Sequence, residues 1–502
     1  MKFLHNNLLV LVGVVGFTFS SCGCDGGKAD VGDPVVPPVL EEGEVSVMVT
    51  KNDRSLDFTR QSARLVTGSS MSPLTITLDP ATRYQEMDGF GSAITGSTCY
   101  NLMQMAPVDR TKFLKETFSE KEGVGQSYLR ISIGCSDFSL SEYTCCDKPG
   151  IENFKLESEE LDLVIPILKE ILAINPAIKV LGSPWTCPRW MKVNNLTDLQ
   201  PYNSWTSGQL NPKYYGDYGT YFVKWIQAME AHGVPIYSVT PQNEPLNRGN
   251  SASLFMGWEE QLAFVKQGLG PKLKAAGLTT KVYLFDHNYN YDNMPGQADY
   301  PLNIYNDAEA AQYVAGAAFH NYGGVRDELL DIHAQAPEKE LIFTETSIGT
   351  WNDGHNLSVR LMDDMEEVAL GTVNNWCRGV IVWNLMLDSE RGPNRVGGCQ
   401  TCYGAVDISS TDFKTITKNS HYYIIGHLSA VVKPGATRIG TKGYSEQGVI
   451  HSAFENPDGS YALVLLNKTE ARKKINVSNG AGYFTYDVPS KSVVSFRWKT
   501  KQ

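Results

Sequence analysis

Two glutamates in this chain sit in settings suited to proton transfer and nucleophilic attack. Glu244 lies in "SVTPQNEPLN", after a short strand-like run and between Asn243 and Pro245; Glu345 lies in "LIFTETSIG", again at the end of an apolar run. Two carboxyl groups about 5–5.5 Å apart can cleave a glycosidic bond with retention, one protonating the leaving oxygen and the other attacking the anomeric carbon. The acid is expected to be held neutral by burial and a neighbouring anion, and the attacking group to be kept ionised by hydrogen-bond donors. If Glu244 is the acid, Asn243 can donate to the sugar 2-hydroxyl. Pro245 is expected to restrict Glu244 to extended backbone and so to aim its side chain. The plain alternative is a pair of strand-end glutamates held in salt bridges.

The elements that must position these residues are legible as a repeat. Short apolar or β-branched runs at 87–93, 127–133, 178–182, 235–240, 281–285, 314–319, 340–344 and 378–383 alternate with amphipathic stretches. In "SEELDLVIPILKEILAIN", Leu161, Val164, Ile165, Leu168, Ile171 and Leu172 fall on one helical face. "YGTYFVKWIQAMEAHG" reads as a helix stopped by Gly233. Eight such units in about 300 residues point to an α/β fold, a (β/α)8 TIM barrel, whose chemistry sits at the C-terminal ends of its strands. The residues following those strands are Asp137, Trp185, Asn243, Glu244, Asp286, His287, His320, Tyr322, Glu345, Trp383 and Asn384. Acids, amides and flat rings around one rim describe a sugar pocket. Asp286 and His287 read equally well as rim residues without substrate contact, and Trp190 and Trp205 as outer subsites or as packing.

Both ends of the chain look like strands without helices. "GVIHSAFENPDGSYALVLLN" holds two alternating runs around an Asn-Pro-Asp-Gly turn, "KSVVSFRWK" follows, and "VSVMVTK", "ARLVTG" and "LTITLD" stand near the N-terminus. Neither set alone offers enough strands for a core, so the two are expected to form one attached β-sandwich. The expected organisation is a leader at 1–21, a tether at 22–44, N-terminal sandwich strands at 45–85, the barrel at 86–420 and the rest of the sandwich at 421–502.

Lys2, the apolar run from Leu8 to Phe19 and "FSSC" ending at Cys22 read as a secretory signal. Small residues leading to a cysteine resemble the lipobox of bacterial lipoproteins, in the serine-rich form of the Bacteroidetes. Cys22 is then expected to carry lipid, making an exported outer-membrane lipoprotein that meets the membrane only through its anchor. The other reading is a plain cleaved signal. Residues 23–44 are rich in Gly, Pro and acid and read as a tether. The 44 basic and 55 acidic residues give a net charge of −11 without a basic stripe, which argues against nucleic acid as a partner. Ten cysteines in an exported chain permit disulfides. Cys399 and Cys402 in "GGCQTCYG" can be a zinc half-site, a redox pair or a structural clip. No second CxxC and no HxxxH accompanies them, so a loop-stiffening bridge is preferred, although the sequence does not show which cysteines pair. No cluster calls for a metal or cofactor, and a monomer is expected.

"TPQNEP" with a later "FTET" resembles the retaining β-glycosidases whose acid/base ends strand four and whose nucleophile ends strand seven. Together with "MDGFGSAIT", "YLRISIGCSDFSL", "LGSPWTCPRWMK", "FHNY", "VIVWNLML" and "RGPN", the set resembles glycoside hydrolase family 30, the glucosylceramidase-like family, over roughly residues 80 to 500. The resemblance implies that Glu244 is the acid/base and Glu345 the nucleophile. It implies that Asp137 holds distal sugar hydroxyls and that Arg130 keeps the nucleophile ionised, although a buried Arg130–Asp137 pair bracing the second strand would look the same in sequence. It implies that Trp185, Asn243, His320, Tyr322 and Trp383 supply the pocket wall and 2-hydroxyl contacts, and that Asn394 is a rim residue. Asn321 stands where mammalian glucosylceramidases have an aromatic residue, and the loop "RVGGCQTCYGAVDI" looks more like the β-1,6-glucanase branch. The expected activity is therefore retaining hydrolysis of a β-linked glucan, in particular endo-acting hydrolysis of β-1,6-glucan, with an exo-β-glucosidase or glucosylceramidase as the nearer alternative. A non-catalytic surface glycan-binding lipoprotein is the alternative of another class.

Overall fold

The computed structural model describes residues 43–289 and 294–500. The leader, the tether through residue 42 and Cys22 lie outside the described residues. Strands Gly89–Ala93, Tyr128–Ser132, Lys179–Ser183, Ser238–Val239, Lys281–Asn288, Gly316–His320, Glu340–Glu345 and Cys377–Asn384 pair in parallel, in chain order, and close into a barrel. All eight expected strands are present. The fourth is only two residues long as a paired ladder, and the fifth runs three residues further than its apolar pattern suggests.

Inside the barrel, Tyr128, Leu181, Tyr283, Ala318, Ile342 and Ile381 form an apolar layer. Because side chains alternate along a strand, the next inward layer lies two residues on: Arg130, Ser183, His320, Thr344 and Trp383. On the fifth strand that count selects Phe285. Instead Phe285 and Asp286 both take positive φ, 69° and 65°, and the register slips between Phe285 and His287. This bulge turns Phe285 outward onto Tyr300, with ring centroids 4.7 Å apart, and brings Asp286 into the barrel. At the opposite mouth, Lys179, Arg378 and Lys281 pair with Asp88 and Glu340. That end is closed by charge pairs, and the C-terminal end is left open.

The helix at 159–174 departs from its expected face. It opens with a π turn, Glu160–Val164, before continuing as Ile165–Ile174. The extra residue in that turn rotates the stripe, so Leu161 is exposed while Ile167 is buried with Val164, Ile165, Leu168 and Ile171. The helix Tyr215–Ala231 ends as its sequence indicates, with Gly233 at φ +85°.

Strands from both chain ends form one ten-stranded sheet. In it, Glu44–Lys51 lies between Thr59–Arg64 and Ser492–Trp498, and Thr75–Glu86 lies between Thr437–Gly443 and Lys473–Ser478. Alternation divides the strands between two cores. Val45, Val47, Val49, Leu463, Leu465, Phe496 and Trp498 pack within the sandwich. Met48, Ala462, Val464, Leu466 and Val493 face the barrel core, as do Ile424, Ile425 and Leu428 of the fully buried helix Ser420–Ser429. No helix among the described residues is long and apolar enough to cross a membrane.

Candidate active site

The open mouth of the barrel leads into a cavity of about 300 Å³ whose walls include Glu244, Glu345, Asp137, Trp185, Trp383 and Tyr322. One oxygen of each glutamate and one ring nitrogen of His320 lie within 4.8 Å of one another. The two carboxyl groups therefore face the same space. Nearest oxygens this close agree with the carboxyl separation of about 5–5.5 Å in retaining sites rather than with the about 6.5–9.5 Å of inverting ones.

The partners of the two glutamates differ. Glu345 ends the seventh strand; its Oε2 accepts from Arg130 Nη1 at 2.5 Å and its Oε1 from Tyr322 Oη at 3.0 Å. Glu244 Oε2 accepts from Asn247 at 2.7 Å and Asn250 at 3.3 Å, and its Oε1 lies 3.3 Å from His320 Nδ1. The backbone of Glu244 is not extended as the following proline suggests: its φ is +43°. Tertiary bonds override the local preference, because Glu244 N donates to Asp286 O at 2.9 Å and Asn247 N closes a turn onto Glu244 O at 2.9 Å.

Behind the wall lies a buried polar cluster centred on Asp286. Its Oδ1 accepts from His320 Nε2 at 3.0 Å and Thr344 Oγ1 at 2.6 Å; its Oδ2 accepts from Arg130 Nη2 at 2.8 Å, Ser183 Oγ at 2.7 Å and Thr240 Oγ1 at 2.8 Å. Arg130 Nη2 also donates to Asn243 Oδ1 at 2.7 Å, and since a guanidinium only donates, this fixes which way the Asn243 amide faces and leaves its NH2 for another partner. Arg130 pairs with Asp286 and Glu345 rather than with Asp137. Its guanidinium carbon also lies 5.0 Å and 5.3 Å from the ring centroids of Trp185 and Trp383, which stack on each other at 5.2 Å. The buried indole N–H of Trp185 has no partner among the described residues, so a donor is left for a ligand at the cavity wall.

The surroundings of Glu244 favour its ionised form, contrary to the expectation of an acid held neutral. Burial acts to raise Glu244, but the hydrogen bond from His320 and the charges of His287 and His320 outweigh it and bring the carboxyl down to about 2. Burial raises Glu345 above its ordinary value, against the pull of His320 and Arg130. Burial would lower His320, yet the charge of Glu345 and the bonds to Asp286 and Glu244 lift it to about 9. Asp286 is held well below the usual range because Arg130 and His320 overcome its burial. These surroundings thus favour His320, one hydrogen bond away, over Glu244 as the holder of a proton. Asp137 is raised to about 7 by burial and by the charges of Glu345 and Glu244.

The atoms of Glu244, His320 and Glu345 that approach within 4.8 Å have a spacing a cation can use. Arg130 on Glu345 and a positively charged His320 make that donor set a poor one for a metal.

The structure thus brings Glu244, Glu345, Arg130, Asp137, Trp185, Asn243, His320, Tyr322 and Trp383 to one place. Asn394 stays on the rim loop, its amide turned back to donate to Arg391 O at 3.0 Å. Trp190 is packing: its indole N–H donates to Cys146 O at 2.7 Å. Trp205 lies under Arg189, whose guanidinium carbon is 4.2 Å from its ring centroid. Cys399 and Cys402 form a disulfide that lines the cavity, and Cys99, Cys135, Cys145, Cys146, Cys187 and Cys377 are buried and free. Sequence reasoning underrated Asp286, whose position after the fifth strand was the available signal. It did not find Asn247 and Asn250, which lie on a loop beyond the fourth strand, or Trp351, in the 3-10 turn Thr350–Asn352 after the seventh.

A family model described as the glycosyl hydrolase family 30 TIM-barrel domain matches residues 87–432, and one described as the glycosyl hydrolase family 30 beta sandwich domain matches residues 435–496. The endo-1,6-beta-D-glucanase BGN16.3 of Trichoderma harzianum is 32% identical over 436 residues, which is 82% of this chain and 84% of that protein. The lysosomal acid glucosylceramidase of Mus musculus is 28% identical over 517 residues, 96% of this chain and 94% of its own. Among solved structures, that of the endo-beta1,6-glucanase BT3312 is 68% identical, with a TM-score of 0.90 over 91% of this chain and 100% of the other.

Proposed function

The chain belongs to glycosyl hydrolase family 30, and on that premise we propose that it is a retaining endo-β-1,6-glucanase in which Glu345 is the nucleophile and Glu244 the acid/base. The observation that carries the mechanism is the pair of carboxyl groups in one cavity with oxygens within 4.8 Å. The glucan linkage is supported by the likeness to proteins named as endo-1,6-glucanases, one of them 68% identical.

Glu345 has a fixed donor on each oxygen, an arrangement that holds a carboxylate in line for attack. Glu244 and His320 share one proton. Transfer from His320 Nδ1 to Glu244 Oε1 leaves a neutral imidazole whose remaining N–H faces Asp286. The charge of Glu345 is the largest influence raising His320. As Glu345 becomes an ester with the anomeric carbon, that support is lost and the proton moves through Glu244 to the departing glycosidic oxygen. In the second step Glu244 takes a proton from the water that attacks the anomeric carbon and passes it back to His320 Nδ1, while the ester bond breaks and frees the Glu345 carboxylate.

Azide separates the two roles. With an activated β-glucoside, Glu345→Gly is expected to give the α-glucosyl azide, because azide attacks in place of the missing nucleophile, and Glu244→Ala the β-glucosyl azide, because azide opens the covalent intermediate. The opposite stereochemistry would exchange the assignments. Digestion of a panel of β-linked glucans tests the substrate: early release of oligosaccharides from β-1,6-glucan is expected, and glucose alone would favour exo action. We also propose export as a lipoprotein through Cys22, as "FSSC" suggests. Lipid incorporation lost in Cys22→Ala is the expected result.

A further inference from the structure

Tryptophan 351 lines the catalytic cavity, yet 52% of it is exposed, whereas Trp185 and Trp383 are almost fully buried. It therefore stands at the mouth. Its place is tightly determined. The segment Ile348–Gly349 pairs antiparallel with Cys402–Tyr403, Thr350 N donates to Thr401 O at 3.0 Å, and Gly349 N donates to Asn352 Oδ1 at 2.9 Å. The partner strand is closed by the Cys399–Cys402 disulfide. The indole lies across Gly349 so closely that a Cβ there would meet Trp351 Cζ3 at 1.9 Å.

A half-exposed indole fixed by a glycine, a strand pair and a disulfide is already ordered before any ligand arrives, which lowers the entropy lost on binding. Asn247 and Asn250 line the same cavity and bring amide groups suited to hydroxyls. We propose that Trp351 is the aromatic platform of a second glucosyl subsite, which stacks on the apolar face of the sugar next to the one held between Glu244, Glu345 and Asp137. The Cys399–Cys402 bridge is the clamp that keeps this platform in place. This rests on the glucan reading above and adds a requirement for chain length.

The test compares the unsubstituted protein with Trp351→Ala, Trp351→Phe and the double variant Cys399→Ser/Cys402→Ser. Substrates are gluco-oligosaccharides of the linkage the unsubstituted protein cleaves best, and β-glucosyl fluoride, whose leaving group needs no second subsite. Trp351→Ala is expected to lose about tenfold in kcat/KM on the oligosaccharides and clearly less on the fluoride. Trp351→Phe should keep most of the activity, and the serine pair should show a smaller loss with the same substrate pattern. Equal losses on both substrates, or no loss on either, would overturn the subsite. Calorimetric affinity for the longest oligosaccharide in a Glu345→Gln background gives an independent reading: unchanged binding on adding Trp351→Ala also overturns it. If another linkage is cleaved in preference to β-1,6, the proposed substrate fails while the subsite is still judged on that linkage.

Discussion

At Glu244 three donors meet one carboxylate, and only His320 among them can surrender a proton. In the proposed mechanism the histidine is therefore the source of the acid. With His320 lifted to about 9, the shared proton is retained below that pH and lost as pH rises through it. The alkaline limb of kcat/KM is therefore expected near 9. His320→Gln should lower kcat about a hundredfold and displace that limb, as measured by a pH–rate profile. Glu345→Gln replaces the carboxylate proposed as nucleophile by an uncharged amide and should reduce kcat by roughly four orders of magnitude with little change in substrate affinity. Asp286 has no access to the sugar, yet it holds His320 and Arg130 together. Asp286→Ala would remove the buried anion shared by both cations and leave Arg130 only Glu345 and His320 only Glu244, a loss expected to cost about 3–5 kcal/mol in urea unfolding and to lower activity by releasing Glu345 and Glu244 from their positions.

Among the elements, the strand ends do the positioning, and their period of two sets which side chains enter the barrel. Arg130, Ser183, His320 and Thr344 could be placed by counting from an apolar residue two positions earlier. Asp286 could not. The bulge that brings it inward depends on two consecutive positive-φ residues, neither of which is glycine. Glu244 raises the same difficulty, because proline predicts an extended residue before it and the fold imposes a left-handed one. The first strand is simpler: "GFGSA" needs Gly91, where a Cβ would lie 1.9 Å from Tyr128 O. Gly91→Ala is expected to force the first and second strands apart and to destabilise the barrel by about 2–4 kcal/mol, read as a lower thermal midpoint.

In the molecule as a whole, the sandwich is joined to the barrel through the buried helix Ser420–Ser429. His427 on that helix contacts Ser495 Oγ and Thr50 Oγ1, each at 2.9 Å, so one imidazole ties together strands from both chain ends. Burial holds His427 down at about 3, below its ordinary value near 6.5. A group lowered in this way stays neutral in the folded state while the unfolded chain takes up a proton. Its contribution to stability is complete above pH 6.5 and is lost as pH falls toward 3, by up to about 1.4 kcal/mol per pH unit. Unfolding measured between pH 7 and 4 should show this slope, and His427→Gln should reduce it.

The amino-acid sequence by itself determined the eight-strand repeat, the strands at both ends and the two glutamates at the ends of the fourth and seventh strands. These follow from periodicity and strand-end position, which are local along the chain. Only the tertiary structure decided the inward turn of Asp286, the approach of His320 to Glu244 and Asp286, the disulfide and the half-exposed Trp351 beside it. The first two depend on residues far apart in sequence meeting in a space with little water, where a neighbour's charge or an extra backbone residue outweighs any local preference, and the last on the pairing of Ile348–Gly349 with Cys402–Tyr403, two segments distant in the chain.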